Sequence, residues 1–179
     1  MKNLTLTVPV DLLVPAAFQS FEGTYDLGVF KAGPDLYEMK EPLVWHADLT
    51  NTGDAILVTG TVEGDATTAC ARCLEPVTFP LVGEIEGYYL LTGEDEAPED
   101  MDDDEFDILP EDKKIDLASL IQAALLVEVP LIPLCDDDCK GLCPSCGANL
   151  NTNPCDCTPE EDDDSENPFS VLKNLKFEE

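Results

Sequence analysis

Six of the eight cysteines in this chain lie in one run, CDDDCKGLCPSCGANLNTNPCDC, between positions 135 and 157. Its centre, Cys143-Pro144-Ser145-Cys146-Gly147, has the C-x2-C-G form of a zinc knuckle. Two sulfurs separated by two residues can chelate one tetrahedral ion, and the glycine lets the chain turn so that backbone N–H groups point at the thiolates. The run therefore predicts a structural metal site, with disulfides or loose buried thiols as the alternative.

The other cysteines allow one zinc ion or two. A second close pair, Cys155 and Cys157, can complete the knuckle site, so that four thiolates bind one ion without any long-range fold. A closed tetrathiolate site leaves no position for water, so its zinc would be structural rather than catalytic. Such binding can contribute on the order of 10–16 kcal/mol to local folding. The candidate ligands of a second ion are Cys135 and Cys139, joined by Cys70 and Cys73.

Cys70 and Cys73 lie between two predicted strands, so we expect them at or near the tip of a hairpin. Their C-x2-C spacing is that of a knuckle, but a single pair is compatible with three uses. It could complete a metal site, act as a redox pair, or consist of two plain structural thiols. The βαβ setting of thioredoxin-like redox pairs is missing. Metal binding is the favoured interpretation, and the other two stay open.

Length and composition bound the class of protein. The 179 residues, 44% of them hydrophobic, fit one domain of ordinary size or a domain plus a small metal-bound appendage. The sequence has no apolar stretch approaching the roughly 18–20 residues that span a bilayer. The N-terminal MKNLTLTVPVDLLVP lacks the unbroken apolar core of a secretory signal. We therefore expect a cytoplasmic protein without membrane contact, in which reduced thiols favour metal binding over disulfides.

Negative charge dominates the sequence, with 39 acids against 9 bases and a formal net charge of −30. Much of the excess lies in the runs 94–112, 136–138 and 156–166, which indicate solvated linkers or a surface that attracts basic proteins. Nucleic-acid binding draws most of its affinity from cations that neutralise phosphates, yet Arg72 is the only arginine. The predicted partner is a basic protein, and direct RNA contact is the weaker alternative.

Residues 1–93 have the pattern of an antiparallel sheet. Apolar residues at positions 43, 45, 47 and 49, and again at 56, 58 and 62, alternate with their neighbours, which predicts one buried and one wet face. A turn at 51–54 joins these two strands, and Val10–Gln19 is compatible with a short helix. The predicted fold class is α+β, a mainly antiparallel sheet or partly closed barrel with one packed helix and a C-terminal cysteine-rich zinc-binding segment.

One helix is predicted after the segment 94–112, which we interpret as an acidic linker or loop. Asp116 suits the helix N-cap, and Pro130 ends the helix because it lacks an N–H and disfavours α conformation in Val129. The segment 113–134 therefore holds a helix and an extended stretch that pack on the sheet. It leads to the cysteine-rich segment 135–157. One apolar face of the helix is formed by Leu117, Leu120, Ile121, Ala124 and Leu125.

The last segment, 158–179, joins an acidic spacer to a short amphipathic tail. Its candidate partner-binding residues are Phe169, Leu172 and Leu175. Such a tail either docks on its own domain or presents an anchor to a partner, and the sequence does not choose between them.

Enzymatic activity is not expected. His46 is the only histidine and lies within a predicted strand, where histidines are more often packed or surface residues than catalytic bases. The sequence has no Ser-His-Asp set, phosphate-binding glycine loop or H-E-x-x-H motif, and no small-molecule substrate is predicted. Thiol redox chemistry at Cys70 and Cys73 is the one enzymatic alternative with any support.

The order of these features resembles the bacterial and plastid YceD-like family, the large ribosomal RNA subunit accumulation proteins. The resemblance rests on CARCLEP at 70–76, the helix that begins with Asp116-Leu117, KGLCPSCGANLN at 140–151 and NPFSVLKNL at 167–175. It implies a cytoplasmic, non-enzymatic role in the production or stability of large-subunit ribosomal RNA. With the charge, it favours an accessory factor of ribosome biogenesis whose basic partner is a ribosomal protein or an RNA-processing enzyme. A zinc-ribbon-like module that binds rRNA directly is the alternative.

Overall fold

The computed structural model describes residues 3–93, 98, 101–102 and 105–157. These residues form a mainly antiparallel β structure with one α-helix, which confirms the predicted fold class. In chain order the elements are β1 (Thr5–Thr7), a 3-10 helix (Val10–Leu13), β2 (Phe18–Tyr25), β3 (Val29–Ala32), β4 (Asp35–Met39), β5 (Leu43–Asn51), β6 (Ala55–Ala69), β7 (Pro76–Leu90), β8 (Asp107–Ile108), β9 (Lys114–Asp116) and α1 (Leu117–Glu128).

The main sheet is built around the long strand β6, which pairs with β5 on one edge and with β7 on the other. β2 lies outside β5, and the β3–β4 hairpin attaches to β6 beyond the end of β5, where Met39 faces Ala66. The short β8 pairs in parallel with β7, while β1 and β9 form a separate two-stranded sheet. The described strands form an antiparallel sheet and do not close into a barrel, so of the two predicted forms, a sheet or a partly closed barrel, the sheet is found.

The sheet follows the alternation seen in the sequence. In β5, Leu43, Trp45, Ala47 and Leu49 are all buried, while the residues between them are exposed or half-buried. Asn51 ends the strand and is buried. Its side-chain amide is satisfied there, because it donates to the carbonyl of Leu12 at 2.9 Å and accepts from the N–H of Gly53 at 2.8 Å. The predicted turn at 51–54 is confirmed.

The helical segment before β2 is shorter than the sequence allowed. Only Val10–Leu13 form a 3-10 helix, and Phe18 already belongs to β2. Val14 has an extended backbone with ψ of 132°, because the ring of Pro15 disfavours α conformation in the residue before it. The helix therefore ends at Leu13, two residues before that proline.

The helix α1 packs on the sheet, as predicted, and it lies against β7. Asp116 caps it by accepting from the N–H of Ser119 at 3.3 Å and from its hydroxyl at 2.7 Å, and the helix ends at Glu128, before Val129-Pro130. Close approach depends on Gly83, because a Cβ at that position would lie 2.8 Å from the carbonyl carbon of Ala124. No helix in the described part of the chain is both long and apolar enough to cross a membrane.

The end of the predicted acidic linker belongs to the sheet. Asp107–Ile108 form β8, and Leu109 beside them is only 4% exposed. The N–H of Leu109 donates to the carbonyl of Leu90 at 2.8 Å. The acidic segment therefore returns to the edge of β7 before β9 begins.

Candidate metal centres

The cysteines meet at the far end of the β6–β7 hairpin. The last pair of this hairpin is Ala69 with Pro76, so residues 70–75 form its tip and Cys70 and Cys73 lie there, as predicted. They belong to a small apolar cluster, separate from the core of the main sheet. Its members are Cys70, Cys73 and Cys139, with Val77, Leu134 and Leu142 packed against them.

The Cys143–Gly147 segment forms the turn that its sequence predicts. The N–H of Gly147 donates to the carbonyl of Cys143 at 2.8 Å, and the N–H of Cys143 donates to the carbonyl of Ala148 at 2.8 Å. Gly147 has a φ of 73°, the left-handed conformation that glycine adopts without steric cost. The turn directs the Sγ atoms of Cys143 and Cys146 to the same side.

The tip of the β6–β7 hairpin repeats this turn without a glycine. The N–H of Leu74 donates to the carbonyl of Cys70 at 2.9 Å, and the N–H of Cys70 donates to the carbonyl of Glu75 at 2.8 Å. Leu74 stands where Gly147 stands in the other turn, and its φ is 62°. The two C-x2-C segments thus form the same turn. This repetition favours the metal-site interpretation of Cys70 and Cys73 over a redox pair or plain structural thiols.

Centre A is the group formed by Cys70, Cys73, Cys135 and Cys139, whose four Sγ atoms all lie within 4.8 Å of one another. The Sγ atoms of Cys70 and Cys139 are 3.9 Å apart, and those of Cys73 and Cys135 are 3.6 Å apart. Four sulfurs at about 2.3 Å from a tetrahedral zinc ion would be separated by about 3.8 Å. A disulfide would need about 2.05 Å, so these are thiols placed at the spacing of a metal site.

Centre B is the second group of four thiols, again with all Sγ atoms within 4.8 Å. It is less enclosed than centre A, because Cys146 and Cys157 are exposed and Cys155 is half-buried. Its members are Cys143, Cys146, Cys155 and Cys157. Each centre could hold one metal ion, and all eight candidate ligands from the sequence fall into these two groups.

Centre A has hydrogen-bond donors around its sulfurs. Burial alone would raise the pKa of Cys70, but backbone N–H groups of Cys73, Arg72 and Cys135 lower it to about 6. The side-chain amide of Asn151 donates to the Sγ of Cys139 at 3.2 Å and is the main reason that the pKa of this thiol is lowered. Neighbouring thiols, Cys73 first, raise the pKa of Cys135 to about 12.

Centre B shows the same division of its thiols. Backbone donation, first from Cys146, lowers the pKa of Cys143 to about 6. The neighbouring thiols of Cys146 and Cys155 raise the pKa of Cys157 to about 12. Without a metal ion each group of four therefore keeps protons on some sulfurs, because four adjacent thiolates repel one another. A divalent cation can replace those protons, and the donor set of four thiols fits zinc.

Arg72 and Asn151 contact centre A in ways that the spacing of the cysteines did not reveal. The guanidinium Nη1 of Arg72 donates to the carbonyls of Asp137 and Cys139, both at 3.0 Å, and so holds the loop between the last two cysteines of centre A. These bonds join positions 65 and 67 residues apart in the chain. No local sequence signal could have shown them.

Three further predictions concern the tail, the histidine and the redox alternative. The proposed partner anchors Phe169, Leu172 and Leu175 lie outside the described residues. The Nε2 atom of His46 is 3.4 Å from a carboxylate oxygen of Asp48, on the exposed side of β5. Cys70 and Cys73 are joined by Cys135 and Cys139 instead of standing as an isolated pair.

Fold and centres together define a class of protein, an open antiparallel sheet whose hairpin tip is joined to a cysteine-rich segment by two groups of four thiols. Sequence comparison assigns the family: the chain belongs to the family described as Large ribosomal RNA subunit accumulation protein YceD, which matches residues 58–176. The matched part includes both candidate centres. No solved structure matches the chain.

Two of the similar curated proteins carry the name of this family. A protein of Arabidopsis thaliana named Large ribosomal RNA subunit accumulation protein YCED homolog 1, chloroplastic, is 39% identical over 40% of this chain and 22% of its own length. The protein of the same name from Zea mays is 29% identical over 67% of this chain and 50% of its own. An uncharacterised protein of Mycobacterium tuberculosis is 35% identical over 58% and 49%. The chain thus spans half or less of the length of these curated relatives.

Proposed function

We propose that this protein is a non-enzymatic accessory factor of ribosome biogenesis that supports the accumulation of large-subunit ribosomal RNA, with two structural zinc ions that fix its cysteine-rich end. The observation that carries the proposal is the pair of four-thiol centres within the part of the chain that matches a family named for rRNA accumulation. The free thiols suit a reducing compartment, and we propose the cytoplasm.

The zinc ions would be structural in this proposal. Each centre offers four thiols, so a bound ion would have a full tetrahedral shell and no position for a substrate or a water molecule. Centre A would tie the segment after α1 to the tip of the β6–β7 hairpin, and centre B would close the loop between its two cysteine pairs. The metal would thereby supply the order that a short, polar and acidic segment cannot obtain from a hydrophobic core.

The face of the sheet opposite α1 is our candidate for partner contact. The strands β2, β5, β6 and β7 contain no lysine or arginine. Their register places Glu22 and Glu84 in one cross-strand row and Asp48 and Glu86 in the next, with these side chains exposed or half-buried. Glu63 is also exposed, and it lies on β6 two residues beyond Thr61, which is the β6 member of the first row. Such a face would attract and orient a basic protein, such as a ribosomal protein or an RNA-processing enzyme.

Direct binding of rRNA by the cysteine-rich segment is the second candidate, favoured by the repeated knuckle turn. Against it stands the net charge of −30, with the side chain of the single arginine bonded to backbone carbonyls of centre A. RNA affinity measured across a salt series separates the two. Protein-mediated action predicts weak binding at all salt concentrations, whereas tight binding that weakens steeply with added salt would establish direct contact.

Complementation tests the function itself. Cells that lack the protein should show a low ratio of large- to small-subunit rRNA, which the wild-type chain restores. Glu84→Gln with Glu86→Gln, on the sheet face, should restore it poorly. Glu111→Gln with Glu128→Gln is the matched control, because it makes the same charge change at exposed positions off this face. A normal rRNA ratio in cells without the protein would refute the proposed role.

A further inference from the structure

The loop of centre B reaches into centre A. Asn151 lies between Cys146 and Cys155, both candidate ligands of centre B, yet its amide Nδ2 donates to the Sγ of Cys139 in centre A at 3.2 Å. The Oδ1 atom of the same side chain accepts from the N–H of Lys140 at 2.8 Å. Two bonds therefore fix the orientation of this amide, and both depend on the path of the loop that centre B closes.

Backbone contacts connect the two centres as well. The N–H of Leu142, which precedes the first ligand of centre B, donates to the carbonyl of Arg72 between the first two ligands of centre A at 3.2 Å. The N–H of Leu150 donates to the carbonyl of Gly141 at 2.9 Å. Gly141 packs so closely that a Cβ there would lie 3.1 Å from the Arg72 carbonyl oxygen. Residues of one centre thus form part of the surroundings of the other.

We infer that the two centres bind metal cooperatively, and that Asn151 is the positioning residue that couples them. The inference rests on the proposed binding of metal by both groups of thiols. Metal at centre B would hold the 147–154 loop closed, which keeps the Asn151 amide against the Cys139 sulfur and stabilises that sulfur as a thiolate ligand. Because coupling between two binding equilibria is reciprocal, metal at centre A strengthens centre B by the same factor.

The expected size of the coupling follows from the role of the amide. Removing a hydrogen-bond partner of a metal ligand typically lowers metal affinity by about 10–100-fold. Opening the loop removes the same bond without changing Asn151 itself. Both changes should therefore weaken centre A by a similar factor, and their combination should weaken it little further.

A cobalt titration tests the coupling. Thiolate-to-cobalt absorption counts the bound equivalents, and competition with a chelator of known affinity gives the dissociation constant of each. Cys155→Ser with Cys157→Ser disables centre B and leaves every ligand of centre A. We expect it to weaken cobalt binding at centre A by about 10–100-fold. Asn151→Asp, which removes the amide donor at nearly constant size, should have a similar effect with all eight cysteines present.

Asn153→Asp is the matched control, because it makes the same chemical change at an exposed position of the same loop. It should leave cobalt affinity unchanged. Trp45, the only tryptophan, is buried in the core of the main sheet, so its emission reports whether each variant keeps that core. Equal effects of Asn151→Asp and Asn153→Asp, or unaltered affinity at centre A when centre B is disabled, would overturn the coupling. Failure of the wild-type protein to bind cobalt would instead refute the proposed metal centres.

Discussion

Leu74 has a left-handed backbone, with a φ of 62°, although it is not a glycine and its side chain is 65% exposed. This conformation costs a residue with a Cβ about 1–2 kcal/mol, and the cost is higher for β-branched side chains. The hydrogen bonds of the knuckle turn hold Leu74 there. The first C-x2-C unit therefore stores strain that the second avoids with Gly147.

We predict that Leu74→Gly stabilises the protein by less than about 1–2 kcal/mol. Leu74→Val should destabilise it, because a β-branched side chain fits the left-handed conformation less well than leucine does. Glycine removes the strain, and its greater freedom in the unfolded chain offsets part of the gain. Thermal unfolding with metal bound is the measurement. Gly147→Val, in the second turn, should destabilise the protein more than Leu74→Val, because glycine has no left-handed strain to begin with. Equal stability of the glycine and valine variants at position 74 would contradict the left-handed turn.

A single ligand substitution should remove a single metal ion. Cys146→Ser takes one thiolate from centre B, so elemental analysis should show one equivalent fewer than in the wild-type protein. Ser145→Ala, beside it in the same knuckle, should keep the full metal content. Cys73→Ser should likewise cost one equivalent, from centre A. Unchanged stoichiometry in either cysteine variant would exclude that residue as a ligand.

At the scale of elements, the contact between α1 and β7 depends on the lack of a side chain at Gly83. Gly83→Ala would place a Cβ 2.8 Å from the carbonyl carbon of Ala124, so the helix must shift away from the sheet. We expect a loss of about 1–3 kcal/mol of stability in denaturant unfolding, the usual cost of overpacking. Gly93→Ala is the control, because the nearest atom to its Cβ would be a side-chain carbon at 3.5 Å. Equal effects of the two changes would refute this account of helix packing.

Local signals in the sequence predicted the elements whose causes are local. The Asp116 cap, the stop before Pro130 and the turn at 51–54 depend on residues adjacent in the chain, and each is found where it was expected. The attachment of β4 to β6 and the return of β8 to β7 depend on pairings between distant segments. A local pattern does not show which distant strand a segment pairs with, and β8 has only two residues. The sequence therefore could not place them.

At the scale of the whole molecule, cysteine spacing predicted which thiols form groups but not what surrounds them. C-x2-C pairs are visible because both sulfurs belong to one turn. Asn151, Arg72 and Leu74 act through hydrogen bonds that are invisible in composition, and two of these three residues bond to partners across the fold. The net negative charge led us to expect a basic partner, and the strand register shows which acidic residues share a face.

At the same scale, the affinity of the protein for zinc should increase with pH. In the metal-free protein the raised pKa values of Cys135 and Cys157, each about 12, keep these thiols protonated at neutral pH. A metal ion must displace those protons, so zinc affinity should rise as the pH increases through neutrality. Cys70 and Cys143, with pKa values of about 6, are thiolates above that pH and take up protons below it. Affinity should therefore fall more steeply in acid.

Zinc competition with a chromophoric chelator, followed from acid to mildly alkaline pH, measures this dependence. Calorimetry in buffers of different ionisation enthalpy counts the protons released at neutral pH. Cys157→Ser removes one of the protonated thiols together with one ligand of centre B. It should therefore reduce both the proton release and the zinc stoichiometry. Zinc affinity that does not change with pH would mean that thiols are not the ligands, because no protons would then compete with the metal.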